Sequence, residues 1–132
     1  MLIPALHFAG NCEDAIALYE KAFGVKVEEI VRDCDYDPIN YAESTKIAHA
    51  RMRIGGQTVF LNDRSEFANK DKSLNGASHL VVMFETPEEL LASYEILKTD
   101  STMVDPFVQT AYSALVGNFM DTFGVLWGFM VV

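Results

Sequence analysis

His49, Arg51 and Arg53 stand at alternate positions of the run IAHARMRI, residues 47 to 54, with Ala48, Ala50, Met52 and Ile54 completing the alternation. An extended strand turns successive side chains to opposite faces, so this spacing gathers three basic-capable groups on one side and the small apolar set on the other. With the apolar set packed under helices, the basic trio points to the concave side. There an arginine pair could hold a carboxylate or phosphate bidentately, and His49 could move a proton near neutral pH. The competing reading is a partly solvated strand face whose arginines pair with carboxylates. The chain has these in excess, with 19 Asp and Glu against 10 Lys and Arg.

His79 shares the parity of Val81, Met83 and Glu85 and could look into the same cavity, unless a backbone carbonyl already satisfies it. His7, between Leu6 and Phe8, reads as a packed strand histidine. Tyr112, Phe60, Trp127 and Phe129 supply aromatic surface that suits a core or a pocket. Trp127 falls on one apolar face with Val125, Phe129 and Val131, which favours the core. Cys12 lies near a helix start, where a thiol can become reactive, although a surface or capping role is the expectation. Cys12 and Cys34 make neither a disulfide framework nor a zinc motif. The chain has no Gly-x-Ser-x-Gly elbow, phosphate loop, dinucleotide glycine fingerprint or His-Glu-x-x-His pair.

The elements that must position these groups come as a repeat. EDAIALYE at residues 13–20 returns as EELLASYE at residues 88–95, matching at Glu13/Glu88, Ala17/Ala92, Tyr19/Tyr94 and Glu20/Glu95. A second echo closes each half, where residues 55–61, GGQTVFL, parallel residues 123–129, FGVLWGF, as a glycine turn entering an apolar strand. Two echoes in the same order point to duplication of a strand, helix, strands unit. The pattern predicts a strand over 2–8 and a helix over 12–23 with Asn11 as N-cap and Gly24 as stop. Strands follow near 25–31, 47–54 and 58–62. A polar stretch from Asp63 to Ser78 then joins the halves. The second half predicts a strand over 79–85, a helix from Thr86-Pro87 to about Lys98, an ambiguous strand at 103–108 broken by Pro106, and strands near 112–119 and 125–131.

The 132 residues, half of them hydrophobic, fit one compact domain with a real core. No apolar run nears the roughly 20 residues that span a bilayer, and the start lacks a signal-peptide pattern, so a soluble cytoplasmic protein is expected. The net charge of -9 argues against nucleic acid, whose phosphates need a basic footprint.

The element order together with Gly10-Asn11-Cys12-Glu13-Asp14-Ala15, residues 49–56 (HARMRIGG) and residues 121–127 (DTFGVLW) resembles the PhnB-like branch of the vicinal oxygen chelate superfamily. Glyoxalase I, bleomycin-resistance proteins, fosfomycin-resistance transferases and extradiol dioxygenases belong to that superfamily. The resemblance implies an α+β fold of two βαβββ modules, about 1–65 and 76–132, whose sheets cup a cavity with helices outside, and a homodimer. In metal-using members it implies ligands from the first and last strand of each module. Here those positions fall near Pro4, Phe60, His79 and Gly128, of which only His79 could ligate. A catalytic centre needs about three protein ligands. His7 would need a strand slip that reverses its facing, and Asn62, Asp63 or Glu85 could substitute only with a shifted alignment.

The expectation is therefore a metal-independent small-molecule binding domain, with a site drawn from His49, Arg51, Arg53, Phe60, Asn62, His79 and Tyr112. No cofactor is expected, and the ligand is expected to be anionic or neutral polar. The first alternative is a metal-dependent lyase, transferase or dioxygenase with a divalent metal on His79 plus His7 or Glu85. The second is a protein-interaction module.

Overall fold

The computed structural model describes residues 1–69, 71–72 and 78–132. Part of the expected connection, residues 70 and 73–77, lies outside the described residues, and with it the expected start of the second module near residue 76.

The first half runs β1 (Ala5–Phe8), α1 (Cys12–Phe23), β2 (Glu29–Arg32), a helical turn α2 (Asp33–Tyr36), β3 (Ile47–Ile54) and β4 (Gln57–Asp63). The second runs β5 (Leu80–Phe84), α3 (Pro87–Leu97), β6 (Thr102–Val108), β7 (Val116–Met120) and β8 (Leu126–Val131). Each half forms its own four-stranded mixed sheet, in the orders β1-β4-β3-β2 and β5-β8-β7-β6. In both, the first strand pairs in parallel with the last, which requires the intervening helix as a crossover. The fold is two βαβββ modules, as the repeat predicts. No described helix is long and apolar enough to cross a membrane.

The two helices begin differently. Thr86 caps α3 by accepting a hydrogen bond from the Glu89 amide at 3.2 Å, with Pro87 as the first helical residue. Asn11 stands at the N-cap of α1 but its side chain makes no capping bond. Asp63, at the far end of β4, takes over: its Oδ1 accepts from the Gly10 and Cys12 amides and its Oδ2 from that of Ile47. Gly24 ends α1 in the left-handed region, where a Cβ is costly.

Several strands differ in length from the sequence pattern, among them β1, which begins at Ala5 rather than residue 2. β2 starts at Glu29 because the Glu20 carboxylate first captures the Val27 amide at 2.9 Å. β7 starts at Val116 because the Ser113 hydroxyl bonds the amides of Leu115 and Val131 in place of a ladder. β6 continues through Pro106, which an edge strand tolerates, since only one of its sides must supply amides.

One continuous core joins the modules. Met52, Val59 and Leu61 of the first sheet and Phe119, Trp127 and Phe129 of the second all turn to the helix-facing side and are buried. Trp127 is a core residue, as its strand face predicts. The helices touch, with the buried Ser93 hydroxyl donating to the Ala22 carbonyl at 2.6 Å. Across the same seam the Tyr19 hydroxyl donates to Asp121 at 2.6 Å, and Tyr19 lies edge-on to Trp127 at 5.4 Å.

Candidate functional site

The open side of the first sheet, opposite the helices, is set by strand parity. His49, Arg51 and Arg53 of β3 share it with Thr58, Phe60 and Asn62 of β4, as the ladder between the strands dictates. Register also brings His7 there, opposite Asn62, whose Oδ1 lies 2.7 Å from His7 Nδ1. His7 is thus a hydrogen-bonded strand histidine on the open side, packed edge-on against Phe67 at 5.1 Å; its apolar neighbours Leu6 and Phe8 take the other face.

The basic trio is assembled but largely engaged. His49 Nε2 lies 3.3 Å from Glu29, Arg51 Nε lies 3.4 Å from Glu28, and Arg53 is folded onto its own hairpin, contacting Thr58 and the Gly56 carbonyl. These are half-exposed pairs whose worth is small, and their main consequence is to offset the positive charge.

Beside them opens a cleft of about 710 Å³, walled by Val31, Tyr36, Tyr41, His49, Asn62 and Arg64. The His49 ring leans edge-on against Phe60 at 4.9 Å. Arg64 caps the Phe67 ring at 4.6 Å and pairs with Glu66 at 2.7 Å. Thus His49 and Asn62 meet in the cleft with Phe60 behind, whereas Arg51 and Arg53 lie outside its lining. Tyr36, Tyr41 and Arg64 were missed by reasoning from sequence, which assigns no element to residues 32–46 and reads Arg64 as part of the polar connection. The signal available was a pair of tyrosines flanking an Asp37–Asn40 turn.

His79 belongs elsewhere. With Pro4, His7, Phe67, Phe123 and Leu126 it lines a second, more apolar cleft of about 490 Å³. Tyr112, 72% exposed in the loop before β7, joins neither cleft.

The donor set does not fit a metal centre. Of the four positions marked by the resemblance, Pro4, Phe60 and Gly128 carry no donor side chain. At Gly128 a side chain would displace its neighbours, since a Cβ there would stand 2.7 Å from Asn118 Oδ1 and 3.0 Å from the His79 ring. Glu85 shares the parity of His79 but is six strand positions away, about 20 Å. Asp63 is committed to three backbone amides. Among the described residues no three His, Cys, Asp or Glu side chains converge. Cys12 is fully buried, correcting its expected surface role. Burial first, then the charges of Asp63 and Glu13, push its thiol up to about 12, which is the opposite of activation.

Comparisons with known proteins agree with this architecture. The chain is 28% identical over 142 aligned positions to Protein YjdN of Escherichia coli (strain K12), covering 99% of this chain and 95% of that protein. It superposes on the PhnB protein from Bacillus cereus with a TM-score of 0.79 at 25% identity, covering 99% and 98% of the two chains. For PA1353 from Pseudomonas aeruginosa the TM-score is 0.83 at 24% identity, covering 99% and 96%. The family profile of the Glyoxalase/Bleomycin resistance protein/Dioxygenase superfamily matches residues 4–129. That match spans both modules, and the chain belongs to this superfamily.

Proposed function

We propose that the chain binds a small organic molecule in the cleft over the first sheet and needs no metal to do so. The observation that carries this reading is the cleft itself, about 710 Å³ and of ligand size, with His49 and Asn62 as polar anchors and two tyrosines as apolar wall. The unsuitable donor set around Gly128 supports metal independence. Of the two ligand classes expected from sequence, the anionic one loses its anchors, because Arg51 already holds Glu28 and Arg53 is turned back on its hairpin. Superfamily membership alone supplies no reaction, since one scaffold hosts many.

A homodimer accompanies this reading. On the open side of the second sheet Val81 and Met83 are 52% and 46% exposed, and Val108 is 50% exposed. Exposed aliphatic groups on both edge strands of that sheet suit coverage by a second copy.

The test is a screen of neutral and charged ring compounds by ligand-induced thermal stabilisation, run with and without chelator. Stabilisation that survives chelator and is lost in His49→Ala and Asn62→Ala is the expected result. Ligand binding that appears only on adding zinc, nickel, manganese or iron(II) would overturn it.

A further inference from the structure

We infer that the same cleft selects a flat ring bearing a protonated amine; this rests on the reading of the cleft as a ligand site. Two observations carry it, one of shape and one of charge.

Tyr36 and Tyr41 are 73% and 49% exposed, and neither ring packs against another aromatic ring among the described residues. Their backbone is nevertheless pinned. The Tyr41 amide donates to the Asp37 carbonyl at 2.9 Å, and the Ser44 amide to the Tyr41 carbonyl at 3.0 Å. The Cys34 amide donates to the Ser44 carbonyl at 3.0 Å, and the Asp33 amide to the Lys46 carbonyl at 2.8 Å. Two large rings held on a fixed backbone beside a cleft offer stacking surface at little cost in ordering.

The charges of the lining run against an anion. Asp33, Asp63 and Glu66 contribute three carboxylates and Arg64 one guanidinium, so the lining is negative by two. Glu29 adds a further carboxylate beside His49. Asp33 is half-buried, and its Oδ2 accepts from the Ser44 hydroxyl at 2.9 Å, while its Oδ1 accepts no hydrogen bond among the described residues. A protonated amine held near Asp33 would meet a carboxylate with an open acceptor, and tyrosine faces attract cations as well as rings. The chain's net charge of -9 acts in the same direction at longer range.

The experiment compares three indoles of one shape by calorimetry: tryptamine, the neutral indole-3-ethanol and anionic indole-3-propionate. At low ionic strength tryptamine should bind about tenfold more tightly than indole-3-propionate, with the gap narrowing in high salt. Asp33→Asn should bring the two within about twofold of each other, whereas Glu28→Gln, outside the cleft, should leave the ratio as it is. Equal affinities, or tighter binding of indole-3-propionate, would overturn the charge selection while leaving the ligand site intact. Failure of all three to bind would overturn both.

Discussion

The two modules share one plan and differ in how they are finished. Their helix-facing sides are equivalent, with Val59 and Leu61 standing where Trp127 and Phe129 stand, and all four are buried. Their open sides differ more, although each carries a histidine and an asparagine. The first carries His49 and Asn62 in a polar cleft with Arg51 and its acidic partner beside it, and the second carries Val81, Met83 and a glycine whose Cβ would crowd Asn118 and His79. The difference teaches that the buried side is constrained by packing at fixed volume, where a changed methylene is felt, while the open side was free to diverge toward separate tasks.

The helix starts give that comparison its sharpest tests. The largest effect is chemical. Cys12, at the start of α1 beside Asp63, has its thiol raised from 9.0 to about 12, so its thiolate at pH 8 should be about a thousandfold scarcer than that of an ordinary thiol. Iodoacetamide at pH 8 should therefore modify native protein at Cys34 and spare Cys12 until urea unfolds the chain. Equal labelling of the two by mass spectrometry would contradict this. The linked effect on stability has a definite sign. The folded thiol holds its proton more tightly than the unfolded one, so its contribution is complete below about pH 9 and is lost as pH climbs toward 12.

Next in size is the cap itself. Asp63→Ala strands three backbone amides and should cost about 2–3 kcal/mol, whereas Thr86→Ala at the self-capped α3 should cost about 1 kcal/mol. Urea unfolding of the two variants checks the ordering, and equal losses would mean that α1 is held by packing alone. The smallest effect concerns the open sides. Val81→Lys should weaken self-association by about 1 kcal/mol, read by light scattering across a dilution series. A wild-type chain that is monomeric throughout would remove the dimer.

The sequence made local features plain and distant ones obscure. α1 occupies residues 12–23, β3 occupies residues 47–54 and the Thr86 cap stands where the pattern placed it, because each is decided within a few residues by period and cap chemistry. The alternation of β3 also assigned His49, Arg51 and Arg53 to one face correctly. It could not reveal that Glu28 and Glu29, from the antiparallel neighbour, sit against them. Asn11 was the local candidate for a cap that Asp63 supplies from 51 residues away. Likewise the cleft draws on β2, α2, β3, β4 and two intervening loops, and only the fold brings Tyr41 to Asn62.

The bond from Tyr19 to Asp121 reaches past the description of packing. Asp121 is buried, and its two oxygens also accept from the Trp127 indole and the amides of Phe123 and Val125, while burial raises its carboxyl above the ordinary range. One of its four donors belongs to the other half of the chain. Neither half is therefore a detachable part: severed at the connection, the second would keep a sequestered carboxylate short of a donor, and the first would expose the ring that reached it. Two modules of one plan are here indivisible, and the chain should melt in a single transition.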